Sequence, residues 1–196
     1  MEKTRKTFDT KTIVGLGLLT AIVIVLQAAA ISIKFGIFSI TLVLVPIIVG
    51  AALYGVKAGA WLGFVFGVVV LFTDAGAFLA VSVPGTVVTC ILKGMLSGLA
   101  AGAVYSILSK KSNMVAVIMA GLVSPIVNTG IFLIGCILFF MDTIKEWALG
   151  AGFGNVYTYM ITSFVGLNFV VEMAINLILS SAIVAIIKIG TKKLDR

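Results

Sequence analysis

The chain has 196 residues, 61% of them hydrophobic and only 11% charged, whereas soluble domains are about half apolar and about a quarter charged. A mean hydropathy of +1.27 excludes a water-soluble globular fold, because a chain this short cannot bury so much apolar surface. The formal charge of +7 does not indicate nucleic acid, since the basic residues sit at the two ends and in connecting stretches rather than along one face.

A spanning helix takes roughly 20 largely apolar residues. The length therefore predicts an all-α integral membrane protein, a single membrane domain over 1–196 with six transmembrane helices. Cutting at charges, prolines and polar clusters gives spans near 12–33, 37–54, 57–73, 85–108, 113–141 and 158–189. The first follows a basic start and is too long for the apolar region of a secretory signal, so it reads as a span. It carries a small-residue pair, Gly17 and Ala21, then Ala28 to Ala30. The second and third spans are short and meet at Tyr54-Gly55-Val56-Lys57; a five-span arrangement would treat one of them as re-entrant. Gly55, Gly59, Gly63 and Gly67 form one row on the third helix, and Gly94, Gly98 and Gly102 repeat that spacing in the fourth. Such rows either pack helices inside a bundle or dock a partner; the first-helix pair is the candidate favoured for docking.

Lys3, Arg5, Lys6, Lys11, Lys57, Lys110, Lys111, Lys188, Lys192, Lys193 and Arg196 all fall on one side of the six-span arrangement, with only Lys34 and Lys145 on the other. The positive-inside rule then predicts cytoplasmic N and C termini. The outer connections are 32–39, 73–84 and the longest, 142–157. Connections of that length are where binding loops and lids occur.

Ionisable groups inside a membrane are costly and usually face a cavity or a partner. Lys93 in the fourth span and Glu172 in the sixth are therefore the most informative residues. Asn168, Glu172 and Asn176 recur every four residues and form one polar stripe. Asn128 lies three residues after Pro125, whose missing N–H frees a carbonyl nearby. These groups either line one solute pocket open to the outer face, or form a buried Lys93–Glu172 pair with asparagines bonded between helices. Phe38, Phe78, Trp147, Phe153, Tyr157 and Tyr159 lie near the outer ends, as cover for a ligand or as interfacial aromatics.

Cys90 and Cys136 lie in apolar runs, which points to packing rather than a disulfide framework or metal cluster. There is no histidine, no G-x-x-x-x-G-K-[ST] loop and no nucleophile elbow. The chain does not read as an enzyme, and it calls for no cofactor and no metal.

The stretch Val45-Pro46-Ile-Ile-Val-Gly50, followed by Tyr54-Gly55-Val-Lys57-Ala-Gly59-Ala-Trp-Leu-Gly63-Phe-Val-Phe-Gly67, resembles the S components of energy-coupling factor (ECF) vitamin transporters. The likeness continues through Lys93-Gly94, through Ser124-Pro125-Ile-Val-Asn128-Thr129-Gly130-Ile-Phe132, and through Asn168, Glu172 and Asn176. It implies a multi-pass subunit in the cell membrane of a prokaryote. Such a subunit captures a vitamin-like small molecule from outside, in a pocket of the last three helices and outer loops. It then docks onto a transmembrane coupling subunit and two ATPase subunits. In that family docking uses first-helix alanines four apart; Gly17 and Ala21 hold the analogous place, with glycine replacing one alanine. The Asn-Thr-Gly segment and glycine-spaced third helix look more like pantothenate-type or unassigned members than riboflavin, thiamin or biotin ones. On that likeness Lys93 would meet a carboxylate, and Asn128, Asn168 and Asn176 amide and hydroxyl groups. Glu172, Phe38, Trp147 and Tyr157 complete the expected ligand-binding set. The reading from a different class is a self-contained secondary transporter or channel for a small polar solute.

Overall fold

The structure is a computed structural model that describes residues 10–30, 34–35, 38–39 and 42–194. It opens with α1 (Thr10–Ala30) and a short antiparallel ribbon, β1 (Lys34–Phe35) with β2 (Phe38–Ser39), in which Lys34 faces Ser39. Next come α2 (Leu44–Tyr54), α3 (Val56–Thr73), the single turn α4 (Gly76–Leu79), α5 (Val83–Leu108) and α6 (Asn113–Phe139). After α7 (Met141–Gly150), the final run comprises α8 (Val156–Tyr159), a π-helical stretch Met160–Val165, α9 (Gly166–Ile178) and α10 (Ser180–Leu194).

Five helical runs are long and apolar enough to cross a membrane: α1, α3, α5, α6 and Val156–Ile178; α2 is a shorter apolar helix. At 1.5 Å per residue α5 and α6 are about 40 Å long and α2 only about 16 Å, against about 30 Å of hydrocarbon. The second run, expected over 37–54, is thus helical from Leu44 onward, and the ribbon occupies its beginning. The stretch before Leu44 is rich in β-branched residues, Ile37, Ile40, Thr41 and Val43 around Phe38, which suit extended chain as well as helix. The outward residues of the long helices are apolar, among them Val14, Leu18, Phe72, Ile107, Ile134 and Leu138. A bundle apolar outside as well as inside is matched to lipid, and the fold is that of an all-α membrane protein.

Lipid tails are as apolar as leucine, so burial alone does not join helices in a bilayer; close approach and polar ties do. The two glycine rows face each other across α3 and α5. A Cβ at Gly59 would stand 2.5 Å from the Gly98 carbonyl oxygen, and one at Gly63 would stand 2.8 Å from the Gly94 carbonyl carbon. Both rows are therefore used inside the bundle, with backbone against backbone. Gly55 turns α2 into α3 with φ +91°, a left-handed conformation that glycine adopts without a Cβ clash. Ser97 Oγ, fully buried on α5, donates to the Ser124 carbonyl of α6 at 2.9 Å. Pro125 lies inside α6 and takes the backbone donor from the Gly121 carbonyl, four residues earlier. Asn176 Nδ2 on α9 donates to that carbonyl at 3.1 Å.

The connections at both ends of the bundle are packed rather than loose. Ser82 and Ser112 cap α5 and α6 by accepting from Gly85 N and Val115 N. Phe78 on α4 is edge-on to Phe140, Trp147, Phe132 and Phe164, with ring centroids 5.1, 5.5, 5.6 and 6.1 Å away. This cluster joins α4, α6, α7 and the π-helical stretch at one end of the bundle.

Candidate functional site

Beneath that aromatic cluster lies a cavity of about 580 Å³, counting the space at its mouth. The C-terminal ends of α1 and α3 contribute Gln27, Phe66, Val70 and the following Asp74. Its other walls are Thr86, Thr89, Cys90 and Lys93 from α5, Asn128 and Phe132 from α6, and Glu172 from α9, with Phe78 and Phe140 above. Lys57, Lys110 and Lys111 lie toward the opposite end of the antiparallel bundle, at the start of α3 and just after α5.

Three of the polar residues singled out in the sequence, Lys93, Asn128 and Glu172, are brought to this cavity from three helices. The Lys93 ammonium is 5.3 Å from the Phe132 ring centre and 5.8 Å from that of Phe66. Cation–π contact compensates part of the cost of withdrawing that charge from water. Glu172 is buried on the same cavity, yet the ion pair seen among the described residues is the exposed Lys145–Asp142 contact, not Lys93–Glu172. The cation and the carboxylate thus share a cavity without closing on each other.

The remaining expected residues are placed differently. Asn176, one turn beyond Glu172, is engaged by the Gly121 carbonyl and does not line the cavity. Trp147 belongs to the aromatic cluster over the cavity, edge-on to Phe78. Tyr157 is exposed on α8, which Asn155 caps by accepting from Tyr157 N at 2.8 Å. The side chains of Phe38 and Asn168 lie outside the described residues. Gly17 and Ala21 are exposed on the outward side of α1, and a Cβ at Gly17 would meet nothing within 4 Å.

The cavity reaches beyond the last three helices, because α1 and α3 supply Gln27 and Asp74. Gln27 Nε2 donates to Asp74 Oδ2 at 2.7 Å and to Thr73 Oγ1 at 3.2 Å, tying the two helices together. The sequence signal for both was present: Gln27 is the one glutamine in the chain and Asp74 ends an apolar helix. Among the described residues no group of three His, Cys, Asp or Glu side chains forms a metal site.

A membrane bundle with a polar cavity roofed by aromatic rings has the arrangement of a protein that holds a small solute. Residues 11–187 match the family described as ECF transporter, substrate-specific component, and the chain belongs to that family. It is accordingly a multi-pass transporter subunit and not an enzyme, and its family associates with coupling and ATPase subunits. A comparison with curated proteins finds no match.

Proposed function

We propose that this subunit captures a vitamin-like micronutrient from the outer face in the cavity between α1, α3, α5, α6 and α9, with pantothenate as first candidate. The observation that carries this reading is Lys93. A half-buried cation held by two rings and joined to no carboxylate among the described residues is suited to an anionic group on a ligand. Pantothenate offers a carboxylate for Lys93, and amide and hydroxyl groups for Asn128 and Glu172. Asn168 and Phe38 stay in the proposed set by position, on α9 and β2. Trp147 and Tyr157 act from the cover, and Asn176 supports the site by fixing α9 on α6.

Basic residues at the end remote from the cavity favour cytoplasmic termini and a cavity open to the outside of a prokaryotic cell membrane. The outward face of α1 around Gly17 and Ala21 docks on the transmembrane coupling subunit, which with two ATPases drives release inward. Calorimetry on the purified protein with a panel of vitamins tests the reading; binding of pantothenate below micromolar is expected. A panel without any binder overturns the vitamin assignment. Uptake by liposomes that hold this chain alone overturns the need for the ATPases.

A further inference from the structure

Gln27 occupies the last turn of α1, is 0% exposed and lines the cavity. Its Nε2 is committed to Asp74 Oδ2 at 2.7 Å and Thr73 Oγ1 at 3.2 Å. An ionised carboxylate accepts and does not donate, so this contact fixes which end of the amide is nitrogen. The other end, Oε1, is buried with no hydrogen-bond partner among the described residues. Two further buried polar atoms are in the same condition: Thr89 Oγ1 on α5, in a residue 4% exposed, and Asn128 Oδ1 on α6, in a residue 9% exposed. All three residues line the one cavity. Buried acceptors are rarely left unmet because each gave up its water on folding. Gln27 Oε1 and Asn128 Oδ1 only accept, while the Thr89 hydroxyl accepts or donates; the three, from three helices around one space, mark the place of a polar molecule that supplies donors to the two amide oxygens.

We infer that the transported solute carries hydroxyl or N–H donors as well as its anionic group, and that Gln27 Oε1 accepts one of those donors. This inference rests on reading the cavity as the solute site. Asp74 is the positioning residue: with Nε2 anchored, the amide cannot turn to offer N–H to the solute, so Gln27 selects donors over acceptors. A site built around fixed acceptors discriminates against analogues that lack the matching donor. The same helix presents Gly17 and Ala21 outward, so cargo and docking face meet on one rigid element.

The single glutamine of the sequence makes this directly readable. Full-length protein labelled with carbon-13 at the glutamine side-chain carbonyl has one such vibrational band. Infrared difference spectra in lipid nanodiscs would be recorded on adding pantothenate, riboflavin, thiamin, biotin and nicotinate in turn, with calorimetry in parallel. For any compound that binds, the labelled band is expected to move to lower wavenumber, and Gln27→Met to weaken binding at least about tenfold. A compound that binds without moving the band overturns the role of Gln27 and leaves the cavity reading standing. If none of the five binds, the cavity reading falls and this inference falls with it. The wild-type spectrum decides even where the variant does not fold.

Discussion

The side-chain amide of Asn176 on α9 donates to the Gly121 carbonyl of α6 at 3.1 Å, filling the position that Pro125 vacates in its own helix. No water reaches the bilayer interior, so a carbonyl stripped of its partner must be met by protein. Asn176→Leu should therefore lower stability by about 1–3 kcal/mol. Pro125→Ala restores an N–H to Gly121, so the double variant should lose less than the two single changes summed. A double-mutant cycle on thermal unfolding in micelles reads this coupling; strict additivity would argue against the tie.

The glycine seam makes a second prediction. Gly94→Ala places a methyl group against the Gly63 backbone, with the nearest unconnected atoms including Gly67 N at 3.0 Å. Neither neighbour is a flexible side chain that can turn aside. The helices must separate, and overpacking of this kind costs about 1–3 kcal/mol. Gly76→Ala, where an added Cβ meets nothing within 4 Å, is the matched control and should melt close to wild type.

Much of this was legible in the residues. Charged and amide side chains stand out in apolar runs, which is why Lys93, Asn128 and Glu172 were identifiable and do converge on one cavity. The freed carbonyl near Pro125 was legible too, but its partner Asn176 was not, since spacing along α9 says nothing of what faces it. The glycine rows were plain as spacings, while their mutual contact is a tertiary fact. Gln27 and Asp74 escaped because each is a lone polar residue near a helix end, where exposure to the interface is the ordinary expectation. Within the second run Phe38–Ser39 is strand and the helix begins at Leu44, a distinction that short apolar stretches, with no period to separate strand from helix, do not carry in their sequence.

Docking through α1 predicts a separation of functions. Gly17→Leu with Ala21→Leu alters an exposed face, so melting temperature and vitamin affinity should stay near wild type. Co-purification with the coupling subunit and ATPases should be lost. Assembly that survives both bulky changes would place the docking surface elsewhere.

Phe78 contacts four other rings above the cavity. Its removal leaves a void and opens the roof, so Phe78→Ala should cost about 3–5 kcal/mol of stability by loss of a buried ring. Phe78→Leu keeps most of the volume and should speed ligand release in stopped-flow measurements with a smaller loss of stability. An unchanged off-rate in the leucine variant would show that the aromatic cluster does not cover the solute.

The central claim is that the cavity around Lys93 holds an anionic solute, and calorimetry on wild type and Lys93→Met tests it most directly. Truncating one partner of a buried charge pair costs about 2–5 kcal/mol, or roughly 30-fold to several thousandfold in affinity. The account predicts that pantothenate binds the wild type below micromolar and that Lys93→Met weakens it by at least that lower factor. Pantothenol, the alcohol analogue, should bind both forms weakly and alike. Equal pantothenate affinity in wild type and Lys93→Met would contradict the account.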